Sequence, residues 1–212
     1  MRSENRLLDI AEEIQSIAQN GLAYVKDVYD MERYTRLREL SAELMSMISG
    51  EPIEKVKDLF CTDKGYQTPK IDTRSAVFRE GKILLVKENN GEWSLPGGWC
   101  DPWLSVGENA IKETKEESGM DVTPLRIIAV QDRDRHNKPE YAWKICKVFV
   151  LCRLEGGEFA PNSETVECGF FSLDELPELC GDKNTREQVE MCFEAAENEV
   201  FWPLFDLCGG KI

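Results

Sequence analysis

Two glycines, Gly97 and Gly98, precede a segment in which Glu113, Glu116 and Glu117 crowd together. An α-helix turns about 100° per residue, so Glu116 lies about −60° and Glu117 about +40° from Glu113. The three carboxylates share one narrow face. Ala110, Ile111, Thr114 and Ser118 fall at roughly +60° to +160°, so the acidic face borders the face that must be buried. Lys115 lies at about 200° and points away from the cluster. Like charges within one turn repel, and partial burial raises the cost. Protonation or a divalent cation relieves it. Oxygen-only ligands suit Mg²⁺ or Mn²⁺, which keep several waters and bridge to substrate phosphates. The glycines let a backbone approach a ligand closely. A solvated acidic helix face is the competing reading of any E-x-x-E-E; the glycine loop and the core-bordering geometry favour the site.

Such a cluster needs a helix seated on a sheet. Ser105 and Glu108 form a Ser-x-x-Glu capping box and Gly119 is a stop, which predicts a helix over Val106–Ser118. Strands are expected at Ile71–Phe78 and Lys82–Lys87, joined at Glu80-Gly81, and at Trp93–Leu95 after the Asn89-Asn90-Gly91 turn. Further strands are expected at Leu125–Gln131, Tyr141–Leu154 and Glu164–Phe171. Capping boxes at Ser172–Glu175 and Thr185–Gln188 open a short turn and a helix. Before Gly65 the period is helical. Leu7, Ile10, Ala11, Ile14, Ile17 and Ala18 mark the apolar face of a first helix. A second is capped at Asp30 and stops at Gly50; a third starts at Pro52. Both patterns break near residues 62–70. The expectation is a helical domain at 1–66 and an α+β domain at 67–212, a mixed sheet between helices.

The chain has 212 residues, 42% hydrophobic and 31% charged, enough for a packed core and unlike a disordered chain. Its formal net charge of −14 disfavours nucleic acid as a partner, but not a phosphate ligand held through cations. The longest apolar run, Val148–Cys152, is far too short for a membrane. The opening residues show no signal-like apolar region, so a cytoplasmic protein with reduced thiols is expected; its eight cysteines form no C-x-x-C pair. His136 is the only histidine, which argues against His-rich metal sites and Ser-His-Asp triads.

The segment resembles the signature of the Nudix hydrolases, G-x5-E-x7-R-E-U-x-E-E-x-G-U, with U aliphatic. Gly98 takes the first position, and Lys112-Glu113-Thr114-Lys115-Glu116-Glu117-Ser118-Gly119-Met120 follows the second half in register. Leu104 stands where the family has glutamate, Lys112 replaces arginine and Thr114 an aliphatic residue. The family's first glutamate pairs with that arginine; Glu108, four residues before Lys112, is expected to substitute in part. Trp93–Asp101, Pro161–Thr165, Gly169–Pro177, Tyr29–Tyr34 and Val56–Phe60 look like a subgroup with an N-terminal helical domain. That subgroup cleaves nucleoside diphosphates linked to a moiety X, of the ADP-ribose or CDP-choline type.

The resemblance implies Glu113, Glu116 and Glu117 as ligands of Mg²⁺ (or Mn²⁺), with Glu117 and Glu164 as catalytic carboxylates. Glu164 reads equally as a solvated loop residue. Arg74, in a half-buried strand, fits a phosphate contact or a structural ion pair. Trp99, after the substrate-facing Gly97 and Gly98, fits stacking on a base or simple loop packing. The expected reaction gives NMP and phospho-X from a small nucleotide-diphosphate substrate. An RNA-directed nuclease or decapping activity, or a non-catalytic nucleotide sensor, are the alternatives. The short helices carry more apolar surface than so small a bundle can bury, so a homodimer is expected.

Overall fold

The computed structural model describes residues 6–141 and 143–207. It forms two compact units: Met1–Pro69 with Glu140–Lys144, and Lys70–Pro139 with Ile145–Ile212.

The first unit contains α1 (Arg6–Tyr24), α2 (Val28–Ser49) and α3 (Ile53–Phe60). The cap of α2 is Asp27 and not Asp30: its carboxylate accepts the N–H groups of Tyr29 and Asp30. The stop is Gly50, left-handed at φ 72°, as expected. The buried seam of α1 takes up only part of the expected stripe, its two alanines. Ala11, Gln15, Ala18 and Gln19 are buried, whereas Leu7 and Ile17 are more than half exposed. The alanines let α2 approach closely. The glutamines are tolerated because backbone carbonyls receive them: Gln15 donates to Phe60 O at 3.1 Å and Gln19 to Gly65 O at 3.1 Å. Ala11, Ala42, Met45, Val56 and Phe60 form the small core. Trp143 joins this unit, donating its indole N–H to Leu59 O at 2.9 Å. The expected strand from Tyr141 therefore starts only at Ile145.

The second unit contains β1 (Lys70–Arg79), β2 (Lys82–Glu88), β3 (Trp93–Ser94), α4 (Val106–Ser118), β4 (Met120–Asp132), α5 (Arg133–His136), β5 (Ile145–Gly157), β6 (Thr165–Phe171), α6 (Arg186–Glu197) and β7 (Leu204–Phe205). The strands run β3-β2-β1-β5-β4-β7, with β6 also paired to β2. The sheet is mixed: β1 lies parallel to β5, and β4 antiparallel to β5. This is the expected α+β architecture. Strand alternation sorts the core into two faces. Ala76, Leu85, Phe149 and Leu151 pack with Val189 and Cys192 of α6; Val77, Leu84, Val148 and Val150 pack with Ala110 of α4. β4 begins at Met120, five residues before its expected start, and passes Pro124 through a register shift. Among the described residues no helix is long and apolar enough to cross a membrane, and all seven described cysteines are free.

Candidate active site

The first half of β1 does not pair with β2. It pairs with the glycine loop. Thr73 N–H donates to Gly98 O (2.9 Å), Ser75 N–H to Pro96 O (2.8 Å) and Cys100 N–H to Ile71 O (2.9 Å). Gly97 sits at φ 149°, and a Cβ there would lie 1.9 Å from the Thr73 carbonyl oxygen, so only glycine fits. A Cβ on Gly98 would lie 2.9 Å from a carboxylate oxygen of Glu113. The loop is thus laid directly over the acidic face.

The helix beneath spans the expected residues, with the Ser105–Glu108 capping box formed and Gly119 as the stop. Glu113 and Glu117 are buried and Glu116 is exposed, so the acidic face does border the core. Glu117 accepts the Gly97 N–H at 2.8 Å. Burial pushes its carboxyl up to about 7, against the pull of Arg74, the Gly97 N–H and Lys183, while Glu113 adds to the rise. Glu108 is occupied at the cap, accepting Ser105 N–H at 2.8 Å, and does not reach Lys112. The expected Glu108–Lys112 pair does not form. Lys112 instead reaches Glu113 (3.0 Å), Glu116 (3.3 Å) and Asp101 (3.3 Å). Hydrogen bonding to Glu113 leads the causes that hold its ammonium above the ordinary lysine range.

Glu164 shares a cleft of about 330 Å³ with Glu88, Asn89, Asn90, Glu117, Ser163 and Lys183. Two amides put it there. Asn162 donates to the Glu116 carbonyl at 2.8 Å while its own oxygen accepts the Glu164 and Thr165 N–H groups. Asn89 donates to Ser163 O at 2.7 Å. Asn89 reads in the sequence only as a turn residue, and its partner lies 74 positions away. That separation leaves no local signal.

The NUDIX domain family matches residues 68–192, and an N-terminal family described as "UDP-X-like, N-terminal oligomerisation domain" matches residues 5–60. The chain belongs to the Nudix hydrolases. A putative ADP-ribose pyrophosphatase of Bacillus subtilis is 44% identical over 207 residues, covering 97% of this chain and 100% of that protein. The crystal structure of an ADP-ribose pyrophosphatase from Streptococcus suis is 56% identical, with TM-score 0.62 over 66% of this chain and all of the other. That of a UDP-X diphosphatase is 31% identical, with TM-score 0.62 over 93% and 97% of the two chains.

In this Nudix pyrophosphatase the residues singled out by sequence separate into four places. Glu113, Glu117, Gly97 and Gly98 converge, and Glu117 leads on to Glu164 in the cleft. Glu116 stands outside with Lys112. Arg74 is buried: it donates to both carboxylate oxygens of Asp72 (3.0 and 2.8 Å) and to Leu95 O at 3.2 Å. Of its two open readings, the structure contains the ion pair. Trp99 is 50% exposed, with the Lys70 ammonium 6.0 Å from its ring centre; its face is not consumed by packing.

Hydrolases of this family use divalent metal ions. Among the described residues no three His, Cys, Asp or Glu side chains already stand as a ligand set, and Lys112 lies within 3.3 Å of both Glu113 and Glu116. The donors nevertheless fit a hard cation: all are oxygens, and burial costs the Glu117 carboxylate more than Arg74 and Lys183 restore.

Proposed function

We propose that the cleft hydrolyses the pyrophosphate bond of a nucleoside diphosphate linked to X, giving NMP and phospho-X. The observation that carries this reading is the meeting of Glu117 and Glu164 in one cleft, with Glu117 already tied to the Gly97 backbone. ADP-ribose is the first substrate to test, because the Bacillus subtilis and Streptococcus suis relatives carry that name; CDP-choline is the second.

Glu113, Glu116 and Glu117 would hold Mg²⁺ or Mn²⁺, which when bound neutralises diphosphate charge and acidifies a water. Glu164 takes the proton of the attacking water or serves as a further ligand. The Gly97–Gly98 backbone would receive the diphosphate beside Glu117, and Trp99 would offer its exposed ring to a base or a quaternary ammonium. Arg74 acts through Glu117, favouring its ionised form from below.

Residues 1–66 form the helical domain and 67–212 the hydrolase domain in this reading, supported by the family matches at 5–60 and 68–192. The enzyme works in the cytoplasm as a homodimer. The description of the matching N-terminal family and the exposed Leu7, Ile17, Tyr24 and Met31 support the dimer; light scattering of the full chain tests it, and a monomer counts against it.

The decisive experiment is a panel of NDP-X compounds with Mg²⁺ and Mn²⁺, run in ¹⁸O water. Release of NMP and phospho-X, with label on one phosphate only, is expected. Phosphate or pyrophosphate as first product would place the cut at another bond. Binding without turnover would indicate a nucleotide sensor, and turnover confined to capped RNA a decapping enzyme.

A further inference from the structure

The cleft that holds Glu117 and Glu164 is lined by three carboxylates and one ammonium, that of Lys183. A diphosphate entering it meets Glu88, Glu117 and Glu164, and cations must outweigh them. Lys183 is partly exposed, with 32% of its side chain accessible, and contacts Glu88 Oε1. Ser94 Oγ donates to that same oxygen at 3.3 Å. The charge of Lys183 is felt by Glu117, whose ionised form it favours.

The backbone under this flexible side chain is fastened. Lys183 N–H donates to Cys180 O at 2.8 Å and Asn184 N–H to the same carbonyl at 2.7 Å. Cys180 N–H donates to Trp93 O at 2.8 Å, and the buried Asn184 side chain accepts Leu95 N–H at 2.9 Å. The turn is thereby tied to the strand that runs into the glycine loop. The Lys183 carbonyl also accepts the ammonium of Lys147, which is only 2% exposed. The same ammonium lies 3.4 Å from Asn137 Oδ1 and 3.9 Å from Asp72 Oδ2, partners that offset the cost of burying it. Here it holds the residue that carries the sole cation among the lining residues of the cleft.

We propose that Lys183 is the cleft's own phosphate-binding residue, its ammonium parked on Glu88 in the free protein and transferred to a phosphate oxygen of the bound diphosphate. Glu88 is then the competitor that keeps an empty cleft from capturing stray anions. The proposal rests on the diphosphate reading of this site, and it deepens that reading by adding a cation that belongs to the protein. An ammonium suits the task because its hydrogen bonds to phosphate oxygens are charge-assisted.

The test uses the full chain and inorganic pyrophosphate as the probe, by calorimetry in EDTA. Lys183→Met is expected to weaken pyrophosphate about ten- to a hundredfold, the loss of one charge-assisted hydrogen bond. Lys183→Arg should recover most of the affinity, and Glu88→Gln should tighten binding by releasing the ammonium. With ADP-ribose and Mg²⁺, Lys183→Met should lower kcat/KM by a similar factor without weakening Mn²⁺ binding to the free chain. The Glu88→Gln/Lys183→Met double variant guards against a folding effect. If the pair is only structural, removing both charges restores pyrophosphate affinity; if Lys183 binds phosphate, the double variant stays as weak as Lys183→Met. Equal affinity in wild type and Lys183→Met, no binding by wild type, or recovery in the double variant would overturn the proposal. A wild-type chain that binds pyrophosphate through Lys183 yet leaves every NDP-X compound intact would instead overturn the reaction.

Discussion

Both units bury polar side chains, and they do so in opposite ways. In the helical unit Gln15, Gln19 and Ser41 are almost fully buried, and each donates to a backbone carbonyl: Phe60 O, Gly65 O and Ala11 O. In the sheet unit Glu113 and Glu117 are buried as carboxylates, and Glu117 receives one backbone N–H while burial drives its carboxyl up to about 7. A neutral amide is satisfied by a carbonyl at small net cost. A carboxylate is not satisfied by one N–H, because its charge remains. The first arrangement fastens helices. The second keeps Glu117 easily protonated in spite of Arg74 and Lys183, a balance that a bound cation would shift.

The largest expected effect tests the second arrangement. Glu117→Gln should cut turnover about a thousandfold, within the range for loss of an essential acid–base or ligand group, while circular dichroism stays unchanged. Near-normal turnover with an intact spectrum would erase the distinction between the two seams.

The next effect lies in pH and sharpens the contrast between buried charges. Glu117 has its carboxyl raised from 4.5 to about 7, so between these values the folded chain holds more protons than the unfolded one. Stability of the metal-free protein should therefore fall as pH rises through that window, by up to about 3 kcal/mol. Lys147 is the opposite case: burial lowers its ammonium from 10.5 to about 7, so stability should rise again from pH 7 towards 10.5. Urea unfolding in EDTA should show a trough near neutrality. Glu117→Gln should flatten its acid side and Lys147→Met its alkaline side; a profile unchanged by both would contradict the assignment.

Smaller effects come from neutral groups. Gln15→Ala should destabilise by about 1–3 kcal/mol, since it leaves Phe60 O without its partner, and thermal unfolding reads this directly. Asn162→Ala should loosen the Glu164 loop and lower kcat about tenfold or less, the scale of one hydrogen bond, with melting temperature little changed. A turnover loss as large as that of Glu117→Gln would mean that Asn162 contacts substrate itself.

The helix that carries Glu113, Glu116 and Glu117 is the most legible element. Its cap, its stop and the angles of its carboxylates depend on neighbours within four residues, and the structure repeats them. The first helix was the least legible. Ala11 and Ala18 of the expected face are buried, but Leu7 and Ile17 are not, and Gln15 and Gln19 turn inward because backbone carbonyls are there to receive their amides. The start of β5 was misplaced for a related reason: Glu140–Lys144 falls in the helical unit, and no local pattern announces that.

By itself the sequence determined the acidic face, the capping boxes, the glycine loop and, through their spacing, the family. These are properties of short segments, set by helical geometry and by backbone positions that only glycine can fill. The tertiary structure decided the rest: that Arg74 turns inward to Asp72, that Lys112 and not Glu108 meets the acidic cluster, and that Asn89, Asn162 and Lys183 assemble a cleft around Glu117 and Glu164. The pairings that build the cleft join residues 46, 74 and 95 positions apart, and even Arg74 and Lys112, whose partners are near along the chain, take the one of several nearby carboxylates that packing presents. Which partner a buried charge finds depends on which surfaces the sheet and its helices bring together, a fact of packing that spacing along the chain does not encode.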